Sequence, residues 1–198
     1  TGPFDPELPV LAFREAGGPM RSLLFNHSTH TIGVRSPGKR SPGFYGLAAQ
    51  DYEQTLGCPV TFFEGASGST HNLDLKGGEC ADRILKAVAA AHSGAKPRPV
   101  DRIASVKRTI RFRVRRFDDA AEDAAVVRYC RKYAPGSSEV IAAVFRNMRR
   151  ELGPQQGQER ETWVQAVRIG DVAMVGVPAE YFTQLGLDIK NRSPFRHT

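Results

Sequence analysis

The run Leu23-Leu24-Phe25, which stops in Asn26-His27-Ser28-Thr29-His30, constrains this chain more than any other stretch. Such a run reads as a buried strand, and the polar cluster after it reads as the strand's end opening into a cleft. Ligand sites of α/β sheets lie outside such carboxyl ends. Neutral imidazole is the commonest metal ligand among side chains. One reading is that His30, alone or helped by His27, holds a metal. The other reading is a pair of solvated or core-satisfied histidines. His27 is expected to face away from His30 and stay in solvent.

A second run, Pro59-Val60-Thr61-Phe62-Phe63, ends in Glu64-Gly65-Ala66-Ser67-Gly68-Ser69-Thr70-His71-Asn72. A hairpin around Gly170-Asp171 leads into Gly176-Val177-Pro178-Ala179-Glu180. Three strand ends therefore arrive at polar clusters. If they converge, two histidines and a carboxylate gather in one cleft, a reasonable zinc set that needs one more ligand or a water. By itself Glu180 reads better as an acid placed at a helix N-terminus.

The elements between these clusters predict an α/β fold, a mixed β-sheet flanked by helices with an inserted helical pair. Val10 to Phe13 and Met20 to Phe25 form a hairpin across Glu15-Ala16-Gly17-Gly18. Gly33 to Gly43 is a basic, Gly- and Pro-rich loop. Ser41-Pro42 starts a helix that runs to about Leu56 and stops at Gly57. A second helix spans Gly78 to His92. Asp118 to Tyr133 and Ser138 to Leu152 form the inserted pair, with Asp118 and Ser138 as caps. Gly153 to Gln158 reads as a flexible linker, and Tyr181 to Lys190 as an amphipathic helix.

With 198 residues the chain suits one domain. No run of 18 apolar residues occurs. The first residues lack an initiator Met and a signal pattern, so the chain reads as a processed or excised piece. Cys58, Cys80 and Cys130 follow no metal spacing and read as free buried thiols. The net charge of +7 draws on Lys107 to Arg116, where Ile110, Phe112 and Val114 alternate with Arg111, Arg113 and Arg115. That period is a half-buried strand with one arginine-rich face. No nucleic-acid-binding signature accompanies it, so the expectation is no nucleic-acid partner. Peripheral contact with an anionic membrane is compatible with it.

Several motifs, taken in order, resemble the neutral/alkaline, non-lysosomal ceramidases, a family of zinc-dependent amidases. Phe25-Asn26-His27-Ser28-Thr29-His30 resembles the family's strand ending in Asn-x-x-x-His, whose His binds zinc. Ser41-Pro42-Gly43-Phe44-Tyr45-Gly46 is similar to its Ser-Ala-Asp-Tyr-Pro-Gly turn. Phe62 to Asn72 resembles its apolar strand and Asn-Gly-Ala-Ala-Gly-Asp loop. Ile169 to Glu180 is similar to its Ile-Gly-Asp hairpin and Pro-x-Glu, whose Glu is a zinc ligand. Ser193-Pro194-Phe195-Arg196-His197-Thr198 continues the likeness.

The resemblance implies Zn²⁺ held by His30 and Glu180, with His71 and Ser69 at catalytic positions. His71 falls where the family has its serine, or Asn in many bacterial relatives, and Ser69 where it has the preceding Asp. In the same reading Gly65, Ala66 and Gly68 let amides approach an oxyanion, and Asn26 orients the metal site. The implied activity is hydrolysis of an N-acyl amide or a lipid-like substrate by a metal-activated water. The family's earlier Thr-His-Thr-His-Ser-Gly segment and its tyrosine ligand have no counterpart here. Residues 1–198 are thus expected to be part of a larger catalytic domain, completed by other segments or a second polypeptide. An exported or periplasmic location follows the same likeness. The rival expectations are a non-catalytic binding module acting through Arg111, Arg113 and Arg115, and a zinc hydrolase of another amide or ester.

Overall fold

Leu23 and Phe25 are both almost wholly buried, and the two residues set the inward face of one strand. A computed structural model describes residues 2–31, 38–72, 74–98 and 100–198. In chain order the elements are β1 (Val10–Arg14), β2 (Met20–His27), α1 (Gly43–Leu56), β3 (Val60–Glu64), α2 (Gly77–Ser93) and β4 (Ile103–Arg113). They continue with α3 (Asp119–Tyr133), α4 (Ser138–Leu152), β5 (Glu159–Ile169), β6 (Val172–Gly176) and α5 (Thr183–Arg192).

The α/β class expected from the sequence is the one found. The strands form two three-stranded sheets, ordered β1-β2-β3 and β4-β5-β6. The first is mixed: β1 runs antiparallel to β2 with Val10 opposite Phe25, and β3 runs parallel to β2 with Leu23 opposite Val60 and His27 opposite Glu64. Because β2 and β3 are parallel and in this register, both release their chains on the same edge. That shared edge brings the cluster after His27 beside the cluster after Glu64.

The chain divides into two compact units, Thr1–Val106 with Ala166–Thr198, and Lys107–Gln165. The first unit holds the main core. Leu23, Phe25 and Val60 meet Phe44, Tyr45, Ala49 and Tyr52 of α1 and Cys80, Ala81 and Val88 of α2. Burying each of the larger apolar side chains contributes about 1.5–3 kcal/mol. The Tyr45 ring stacks on Phe62 at 4.0 Å between centroids, which fixes α1 over the sheet. Gly57 ends α1 in the left-handed conformation, and its amide closes on the Glu53 carbonyl. Ser41 Oγ accepts from the Gly43 amide at 3.2 Å, next to the first turn. Residues 32–37 of the loop expected over Gly33 to Gly43 lie outside those described. All three cysteines are free and buried.

The second unit contains α3 and α4. Asp118 caps α3, accepting from the Ala121 amide at 2.9 Å. Ser138 does not cap α4: it occupies the helix's first position and donates its hydroxyl to the Pro135 carbonyl. The stretch expected as a flexible linker begins with a 3-10 turn, Gly153–Gln155, and Gln158 Nε2 donates to the Pro154 carbonyl. The basic strand also departs from expectation. β4 is exposed along nearly its whole length, Ile110 and Phe112 included, so it is not half-buried. Its arginine face is partly neutralised, with Arg111 paired to Glu161 and Arg115 to Glu122, each at 2.8 Å. Among the described residues no helix is long and apolar enough to cross a membrane.

Candidate active site

The loop after β3 forms the floor of the site. His30 lies against it through a parallel bridge to His71, its amide donating to the Thr70 carbonyl at 3.0 Å. Its ring is oriented as well, with Nδ1 3.1 Å from the Ser67 carbonyl. A carbonyl oxygen only accepts, so Nδ1 carries the proton, and in the neutral ring Nε2 is left with a free lone pair. Nε2 faces Glu180, 3.4 Å from Oε2. The two residues 150 positions apart in sequence therefore meet.

Glu180 reaches this position because the same loop also holds the segment before α5. The Gly68 amide donates to the Tyr181 carbonyl at 2.9 Å. A Cβ on residue 68 would sit 2.7 Å from the Glu180 carbonyl oxygen, so only glycine allows this approach. Thr183, wholly buried at the start of α5, completes the attachment. Its hydroxyl donates to the Ala66 carbonyl at 2.9 Å and contacts Thr70 Oγ1 at 2.6 Å, while its amide donates to Ser69 Oγ at 3.1 Å. Thr183 and Ser67 were not among the candidates read from the sequence. A threonine opening an amphipathic helix was the available signal for the first; a backbone carbonyl on residue 67 leaves none.

The remaining candidates take different places. Ser69 is engaged with Thr183, its hydroxyl also 3.2 Å from Thr183 Oγ1. His71 is exposed and lies parallel to the His30 ring, with centroids 5.8 Å apart. Asn26 bridges the two parallel strands by donating Nδ2 to the Phe63 carbonyl at 2.8 Å. The Gly65 amide donates to the His27 carbonyl at 2.9 Å, where a Cβ would meet Ser28 Oγ. The amides of Gly65 and Gly68 are thus committed to backbone carbonyls, and these glycines serve close packing. Ala66 packs on Gly186, which has no room for a Cβ.

His27 is not solvated as expected. It is half-buried, with Nδ1 2.5 Å from the Tyr45 hydroxyl. Burial lowers its pKa, opposed by nearby Asp5 and aided by Lys190. Burial likewise holds the Tyr45 hydroxyl well above the usual phenol range. Lys190 anchors the entry segment next to them, bonded to Asp5 at 2.6 Å and Glu7 at 2.7 Å.

The donor pair passes a simple test for zinc. Ligands about 2.0–2.1 Å from a tetrahedral ion stand roughly 3.3–3.4 Å apart. His30 Nε2 and Glu180 Oε2 face each other at that separation here, which suits either a shared proton or a bound cation. The hydrogen bond from His30 to a carbonyl is the usual partner of a metal-binding histidine. Among the described residues no group of three or more His, Cys, Asp and Glu side chains could hold a metal, and His30 and Glu180 are the pair that meets here.

Neither a protein-family model nor a curated protein matches the sequence. Among solved structures, neutral ceramidase from Pseudomonas aeruginosa matches with a TM-score of 0.64 at 17% identity, over 98% of this chain and 39% of that one. The fold is that of a neutral ceramidase segment. A second ceramidase, complexed with C2, matches with a TM-score of 0.64 at 16% identity, over 98% of this chain and 40% of that one. The chain thus spans about two fifths of the length of the ceramidases it matches. At these identities the likeness establishes the fold.

Proposed function

We propose that this chain carries part of the active site of a zinc-dependent amide hydrolase acting on N-acyl amides, as the ceramidase-like fold suggests. The observation that supports this reading most is the approach of His30 Nε2 to Glu180 Oε2, with the other imidazole nitrogen bonded to Ser67. His30 and Glu180 would hold the ion. Zinc bound there would polarise an amide carbonyl and lower the pKa of a bound water toward ~7.

The chain's own residues supply orientation and a proton. The Ser67 carbonyl keeps His30 in the tautomer that presents Nε2. Thr183 and Gly68 keep Glu180 opposite it. His71, exposed beside His30, is the residue of this loop placed to hand a proton to a leaving amine. Ser69 is assigned to holding α5, since its hydroxyl is engaged by Thr183.

The test is an assay of the full chain against N-acyl amides of graded acyl length, with and without a chelator. Chelator-sensitive release of the amine, reduced in His71→Ala, is expected. Hydrolysis that survives complete chelation, or that is unchanged in both His30→Ala and Glu180→Ala, contradicts the proposal. Preferential cleavage of esters would instead favour a hydrolase of another acyl bond.

A further inference from the structure

The α3–α4 hairpin buries one cation in its seam and leaves many of its apolar residues outside. Arg149 of α4 is buried against α3, bonded to Asp119 at 2.7 Å and Asp123 at 2.6 Å. Arg146 adds a bond to Asp123 at 2.8 Å on the same side. With this seam taken by ion pairs, Val140, Val144 and Met148, one turn apart along α4, are left at least half exposed.

The face continues onto α3. Ala125, Val126, Tyr129 and Cys130 join Ile141 and Phe145 around an apolar groove of about 360 Å³. Tyr129 and Tyr133 are both more than 60% exposed and lie against each other, with ring centroids 4.6 Å apart. Lys132 extends its ammonium over the Tyr133 ring at 4.9 Å, and exposed Arg128 lies one turn before it. One acid, Glu151, stands at the C-terminal end of the α4 face.

We propose that this face docks on an anionic lipid surface. Aliphatic side chains in the centre, tyrosines beside them and cations at the edge match the composition of helices that lie in a membrane interface. Tyrosine suits that boundary because its ring is apolar and its hydroxyl polar. The unit Lys107–Gln165 carries 13 Lys and Arg against 8 Asp and Glu, which complements acidic headgroups. A second copy of the chain would bring the same positive unit against itself. A nucleic acid would leave Val140, Val144 and Met148 without apolar partners.

The experiment is co-sedimentation of the full chain with vesicles of phosphatidylcholine alone or mixed with phosphatidylserine. It needs neither metal nor hydrolysis, so it fails or succeeds apart from the proposed activity. Binding to the phosphatidylserine vesicles is expected, weaker at high salt. The double variant Val144→Asp/Met148→Asp should reduce it at least about tenfold, and Arg128→Glu/Lys132→Glu should remove much of the preference for anionic lipid. These positions are exposed, and circular dichroism would verify that each variant is folded. No binding to either vesicle overturns the proposal, as does binding unchanged in the folded aspartate variant or indifferent to phosphatidylserine. A stable dimer in which this face is protected would overturn it too.

Discussion

Thr183 Oγ1 donates to the Ala66 carbonyl at 2.9 Å, and this bond ties the first turn of α5 to the loop on which His30 rests. The backbones around His30 and Glu180 are thus positioned through a third segment, residues 66–70. Thr183→Val keeps the shape and removes the hydroxyl, leaving the Ala66 carbonyl without this donor. A loss of about 1–3 kcal/mol is expected, read from urea unfolding. Thr183→Ser should recover most of it, while a Thr183→Val chain as stable as the parent would show that the bond contributes nothing.

Gly68→Ala tests the close approach. The added methyl would meet the Glu180 carbonyl at 2.7 Å, and a backbone oxygen cannot swing aside as a flexible side chain can. A destabilisation of about 1–3 kcal/mol is expected, with a fall in melting temperature of roughly 2–4 °C per kcal/mol for a chain of this size. An unchanged melting temperature would show that the segment at Glu180 is free to withdraw.

Lys190→Met should destabilise by removing the cation from a buried carboxylate. Asp5 is 6% exposed, with Lys190 Nζ on its Oδ2. Losing the ammonium costs about 1–3 kcal/mol. In the double variant Asp5→Asn/Lys190→Met much of that loss should return, which a double-mutant cycle by chemical denaturation would show.

His27 gives stability a pH dependence of defined sign. Burial lowers its pKa in the folded chain from the ordinary 6.5, so the unfolded chain binds the proton more readily. The contribution is complete above the unfolded value and declines as pH falls through about 6.5. Denaturation midpoints at pH 7.5 and 5.5 should differ less in His27→Gln than in the parent. An identical difference would assign the acid sensitivity to other groups.

The parts of the fold legible in the sequence were those set by local chemistry. Gly57 marked the end of α1 because a left-handed stop demands it, and Gly170-Asp171 marked the turn between β5 and β6. The meeting of His30 with Glu180 followed from strand ends arriving at polar clusters. What stayed hidden depends on distant neighbours. Gly65 and Gly68 read as room for an oxyanion, yet their amides are held by His27 and Tyr181. His27 read as solvated because nothing local reveals Tyr45 above it. The alternation in β4 implied a buried face, but periodicity shows that apolar residues share a side, not that anything covers them.

Zinc titration of the full chain, read by calorimetry, tests the central claim most directly. One zinc per chain is predicted, with affinity reduced at least about tenfold in His30→Ala and again in Glu180→Ala. A chain that binds no zinc, or one whose zinc affinity is unaffected by both substitutions, would contradict the account.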